Sequence, residues 1–170
     1  DDAAAWAVCD SAAREALTFG DAEGAAQALE LGLPAAYRGW KAEAAASTAG
    51  EMRKALTDAK NTEGAAALAV IQADASIRAG LPIAAREAAT FASASTRSKT
   101  KAAWQLAVAG AALGDPASID AQISSLQEPE ATAARELAAV LRGGSHVPGL
   151  GLDTERSAHL ALLAAGWLAD

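Results

Sequence analysis

One cysteine, two histidines and aromatic side chains at only 4% of positions leave this 170-residue chain with little of the usual material for reactive sites. Cys9 stands alone, so no internal disulfide can form, and its spacing from Trp6 and Ala13 predicts a small buried core residue. The sequence contains no H-E-x-x-H, no C-x-x-C and no G-x-S-x-G. The stretch GGSHVPGLG has glycines but no Lys-Ser/Thr after them and no strand pattern before it, which excludes a phosphate-cradling loop. His146 in that stretch and His159 farther on lack a cysteine at ligand spacing, so a solvated loop histidine and a half-buried helix histidine are expected, with no metal and no cofactor. Positive charge is also scarce: 14 Lys and Arg against 21 Asp and Glu give a net charge of −7, which disfavours nucleic acid and anionic membranes. No run reaches membrane-spanning length without a polar break, so no membrane insertion is expected, and no signal peptide is visible. Valine, isoleucine and aromatics are too sparse, and period-2 alternation too short-lived, to supply a sheet.

What is abundant is alanine, about 30% of the chain, the residue that loses no side-chain entropy in a helix. The expectation is an all-α protein in one domain over residues 1–170, with an alanine-lined core and Leu, Ile and Trp as larger fillers. The clearest unit is KAAWQLAVAGAALGDPASIDAQISSL, residues 101–126. Trp104, Val108 and Ala111 recur at helical spacing, Gly114 ends that helix, Asp115 caps the next, Pro116 opens it, and Ile119, Ile123 and Leu126 give it an apolar side. Two helices joined by so short a turn form an antiparallel hairpin. Comparable punctuation stands at Gly20-Asp21 and at Gly80-Leu81-Pro82. With Gly50 and Gly144 the glycine spacings are 30, 30, 34 and 30, in the range expected of stacked units.

In chain order, Asp1 or Asp2 caps a helix to about Phe19, Asp21 caps one that ends near Leu33, and Pro34 opens the next. Tyr37, Trp40, Ala44, Thr48, Met52 and Leu56 then read as one stripe, predicting a single helix over 35–59 that runs through Gly50. Helices are further expected from Asn61 to Ala79, from Pro82 to Ala94, and over 130–142 with Leu137, Val140 and Leu141 buried. A loop over 143–153 precedes a last helix from Thr154 to Leu168. Trp6, Trp40 and Trp104 are expected to pack between helices. Asp74 with Arg78 and Glu51 with Lys54 have the spacing of surface ion pairs, and Glu128, Glu130 and Glu136 form an acidic group with no sign of general acid/base work.

With Trp104 early in a helix, Ala107, Gly110 and Ala111 at the crossing, Gly114-Asp115 at the turn and Ile119 and Ile123 beyond, the 101–126 hairpin resembles a tetratricopeptide-type repeat. Ala12, Ala13, Ala16, Gly20-Asp21, Ala25 and Leu29 follow a similar order. That resemblance implies a short α-solenoid of stacked antiparallel hairpins, the alternative being a compact helical bundle, and a non-catalytic scaffold that binds a protein or peptide partner. Two other functions are carried. One is a helical accessory or regulatory domain of a larger bacterial protein such as a cell-wall enzyme; the other is a helical-bundle enzyme or cofactor carrier using His146 or His159. The start at Asp1 rather than Met points to a removed N-terminal piece, and so to a part of a longer chain in the cytoplasm, the periplasm or the exterior. Tyr37 and Trp40 are candidate partner-binding residues. So are Leu160, Leu163 and Trp167, because the last helix is apolar around more of its circumference than one packing face covers. Association between copies through that C-terminal helix is a further expectation.

Overall fold

The computed structural model describes residues 1–144 as eight α-helices, with no strand among the described residues. The expected last helix, with Leu160, Leu163 and Trp167, and both histidines lie outside the described residues. By contact the chain divides into two compact units, residues 1–99 and 100–170.

The first unit is built from helices of one length. α1 (Asp2–Thr18), α2 (Ala22–Arg38), α3 (Ala42–Asp58) and α4 (Thr62–Arg78) each span 17 residues. α5 (Pro82–Ala92) follows. Every connection is a three-residue turn whose middle residue is left-handed: Gly20, Trp40, Lys60 and Gly80, with φ of 77°, 57°, 61° and 74°. In each turn that residue's amide donates to the carbonyl three back. The next amide donates to the carbonyl five back, as in Asp21 to Ala16 at 3.0 Å, Lys41 to Ala36 at 2.7 Å and Asn61 to Leu56 at 2.8 Å. This is the Schellman arrangement, which satisfies carbonyls at a helix end that would otherwise lack partners. Asp21 and Asn61 then cap the following helices through the amides of Gly24 and Gly64, at 2.8 and 3.0 Å.

The period is therefore 20 residues per helix and 40 per hairpin, and the sequence carries it: Glu-Gly-Ala-Ala stands at 23–26 and again at 63–66, with Ala35 and Arg38 repeated as Ala75 and Arg78. Three expectations are corrected by this. Glycine spacings of 30 and 34 do not mark the units, because Gly50 lies inside α3, where a side chain would meet Gln72 Nε2 of α4 at 3.0 Å. Pro34 does not open a helix. It lies within α2 on an exposed face, where the lost amide bond is tolerable, while Leu29, Leu33 and Ala36 hold the helix to the core. The predicted helix over 35–59 is broken at Gly39-Trp40-Lys41, and the apparent stripe from Tyr37 to Leu56 runs across a turn. Alanine-rich sequence offers apolar spacing in several registers at once, so a stripe alone does not locate a helix end.

α1 with α2, α3 with α4, and α4 with α5 are the closely packed pairs. The first hairpin stacks on the second through α1 with α3 and α2 with α4, and Trp6, Leu29, Met52, Leu56, Leu68 and Ile71 share one core. Small residues set the spacing. A Cβ at Gly32 would lie 2.7 Å from Cβ of Cys9, and one at Gly64 would lie 2.7 Å from Cβ of Ala22. Cys9 itself is half-buried rather than buried, since it lies at the border of the face that α1 turns to α2.

In the second unit, α6 (Lys99–Ala112) ends at Gly114, left-handed at φ 68°, and Asp115 caps α7 (Pro116–Ile123) through the amide of Ser118 at 3.1 Å. The hairpin read from the sequence is present, with Gly110 against Ser118 and Ile119 fully buried; Trp104 is half-buried. α7 packs on α8 (Glu130–Leu141), which buries Leu137 and Val140 while Leu141 is half-buried, and Arg142 pairs with Asp120.

Candidate interaction surface

Because four helices of equal length turn back in sequence, the turns at 39–41 and 79–81 project from one end of the first unit, beside the start of α1. Trp40 sits in the first of these and is 95% exposed, so it does not pack between helices as its spacing suggested. Leu81 and Ile83 emerge at the second turn, 42% and 58% exposed. Trp40, Leu81 and Ile83 thus stand exposed at two turns on the same end of the unit. The surroundings of that end are partly basic: Arg38 donates to Asp2 of α1 at 3.0 Å, and Lys41 follows Trp40 directly.

Trp40 is also unusual in backbone. Its equivalents at 20, 80, 114 and 143 are all glycine, and among the described residues only Lys60 shares with it a side chain at such a position. A left-handed residue that bears a Cβ is disfavoured by roughly 1–2 kcal/mol, and bulk adds to the disfavour. Nothing in the packing offsets this for a side chain standing in solvent.

Tyr37, three residues earlier, has a different environment. It is half-buried, donates its hydroxyl hydrogen bond to Asp74 of α4 and lies under the Arg78 guanidinium at 5.2 Å from the ring centre. Asp74 and Arg78 thus act together on a residue of α2, and the cluster ties α2 to α4. The parallel tie between α1 and α3 is Arg14, which reaches Asp10 at 3.3 Å, Glu51 at 3.4 Å and the Thr48 hydroxyl at 3.2 Å. Hydrogen bonds that Arg14 donates to Asp10, and then to Glu51, raise its pKa further above its ordinary value, against some desolvation. Glu51 is therefore engaged across helices, where the sequence suggested Lys54.

Among the acidic residues of the second unit, Glu128 accepts from the Thr132 amide at 3.1 Å and from Arg135 at 3.0 Å. Hydrogen bonding from Thr132, and then from Arg135, holds its carboxyl below the usual range. That is the opposite of what a general acid at neutral pH requires. No group of three or more His, Cys, Asp or Glu among the described residues is arranged to hold a metal ion. No described helix is long and apolar enough to cross a membrane.

Sequence reasoning identified Tyr37 and Trp40 but missed their difference, one a strut between helices and the other a solvent-facing tip. The signal that separates them was present: the Glu-Gly-Ala-Ala repeat fixes a 40-residue period, which puts residue 40 in register with Gly80 at a turn. Leu81 and Ile83 went unremarked as surface residues because a Pro82 helix start was read only as punctuation. A scan against models of protein families, a search of curated proteins and a search of solved structures each found no match for this chain.

Proposed function

We propose that this chain is a non-catalytic interaction scaffold that binds a protein or peptide partner at the end of its first unit, with Trp40 as the anchor. The observation that carries the reading is a tryptophan 95% exposed at a left-handed turn position where most equivalent positions hold glycine. A residue that disfavours the fold and contributes no packing is understandable if it serves a contact outside the fold. Large aromatics that enter a partner's pocket contribute disproportionately to binding, and Leu81 and Ile83 add exposed apolar side chains at the same end of the unit. Stacked hairpins suit this use, as in tetratricopeptide proteins, although the 40-residue hairpin here is longer than the roughly 34-residue tetratricopeptide unit.

The test compares wild type with Trp40→Gly in capture of partners from the source lysate, alongside thermal unfolding. Loss of a captured protein by a variant that melts no lower than wild type is the expected result. Identical capture by both chains would remove Trp40 as anchor and with it this reading.

A further inference from the structure

We propose that the seam between α3 and α5 is a binding site for a carboxylate ligand, with Arg53 as its cation. The site is separate from the Trp40 turn and goes beyond the proposed function. It becomes visible when this seam is compared with the one a period earlier. Between α1 and α3, Arg14 meets three polar partners: the Asp10 carboxylate at 3.3 Å, the Glu51 carboxylate at 3.4 Å and the Thr48 hydroxyl at 3.2 Å. Forty residues on, the positions of Asp10, Glu51 and Thr48 hold Gly50, Phe91 and Ala88. None of these side chains accepts a hydrogen bond, and two are smaller than the residues they correspond to.

An arginine nevertheless reaches across this seam too. Arg53, one residue before the position equivalent to Arg14, sets its guanidinium 5.1 Å from the centre of the Phe91 ring. No carboxylate among the described residues pairs with it, and its Nε is buried with no hydrogen-bond partner. The contact with the ring uses the flat face of the guanidinium and leaves the N–H groups at its edge unbonded, which is costly for a charge drawn partly out of water.

Gln72 of α4 brings a second unbonded group to the same place. Its Nε2 and Oε1 lie 3.0 and 3.7 Å from where a Cβ would stand on Gly50, and that Oε1 is buried with no partner. Gly50 and Arg53 are i,i+3 neighbours on one flank of α3, so the carboxamide and the guanidinium occupy one short stretch of the seam. Both residues are half-buried, and entry needs only a turn of two flexible side chains. An apolar occupant would satisfy neither group. A carboxylate bonds the guanidinium edge as Asp10 and Glu51 bond Arg14, and an N–H or O–H a few bonds away from it donates to Gln72 Oε1. The ligand class is therefore a carboxylate with a neighbouring donor, a chemistry shared by free acylated amino acids and by acidic side chains of peptides.

Proton–nitrogen correlation spectra of the whole chain test this by following the Arg53 Nε–H and Gln72 side-chain amide signals during titration. N-acetylglycine represents the free acid, acetyl-Gly-Asp-Gly-amide the acidic peptide, and N-acetylglycinamide is the uncharged control. Both signals should shift saturably with one or both carboxylates and not with the control, and the tighter probe identifies the source. Arg53→Gln should weaken binding about tenfold or more, since a bond to a charged group is lost. Gly50→Asp places a carboxylate of this chain where Asp10 stands one period earlier, and its Cβ meets only the end of the Gln72 side chain. It should exclude the probes with the fold intact, and so decides the matter even if Arg53→Gln melts early. No saturable shift up to tens of millimolar, an equal shift with N-acetylglycinamide, or undiminished binding in either variant overturns the inference. Trp40→Gly should take the probes as wild type does, so failure of partner capture at Trp40 and failure of this site are separate results.

Discussion

At the level of single residues, left-handed positions and glycines in helix crossings carry the sharpest consequences. Trp40→Gly should stabilise the protein by about 1 kcal/mol in urea unfolding, since glycine takes the left-handed turn without a Cβ penalty and no buried contact is lost. Gly32→Ala should do the reverse. Its Cβ would be placed 2.7 Å from Cβ of Cys9 and 3.0 Å from the Trp6 ring, and α1 would have to shift away from α2 at a cost of about 1–3 kcal/mol. Glu128 gives a pH signature. Its carboxyl is held low in the folded state, so its contribution is present above the ordinary carboxylate range and is lost as pH falls through the lowered folded value. Comparing acid unfolding of wild type and Glu128→Gln should show a small difference at neutral pH that closes on acidification. A difference that grows toward low pH would contradict that assignment.

Among the polar struts between helices of the first unit are Tyr37 with Asp74 and Arg78, and Arg14 with Thr48 and Glu51. Tyr37→Phe keeps the ring under Arg78 and removes only the hydroxyl, so it should cost roughly 1–3 kcal/mol, with the Asp74 carboxylate left without that donor. Calorimetric unfolding of this variant against wild type checks the figure. Much of the element structure was legible in the sequence. The starts at Asp1, Asp21, Asn61, Pro82 and Pro116 stand where caps and first-turn prolines placed them, because those signals are local. The break after Arg38 was not legible by the same means. Its turn has tryptophan at the left-handed position and lysine where a capping side chain would stand, so Gly39 was the one local turn residue and the long-range period marked the break more clearly. The candidate surface was half legible: Trp40 and Tyr37 stood out by residue type, while Leu81 and Ile83, on either side of a first-turn proline, did not.

For the first unit as a whole, position in the stack decides which helix is held best. α4 is packed by α3, α5 and α2 and buries ten residues, whereas α1 buries two. Native-state hydrogen exchange should therefore find the slowest amides in α4 and the fastest helical amides of this unit in α1. Uniform protection across the four long helices would show that the unit opens only as one piece.

The constant turn has a consequence for how such a chain can change in length. A graft of residues 41–80 inserted again after Gly80 begins and ends on the same left-handed turn, restores every capping partner and returns α5 to the same end of the unit. An insertion of one or two residues within a helix instead rotates every downstream side chain by about 100° per residue and misaligns the whole seam. Tolerance to gain and loss of sequence should thus be quantised. A variant lengthened by one full hairpin should keep its cooperative melting, while one lengthened by a single alanine inside α3 should lose more than its size would suggest.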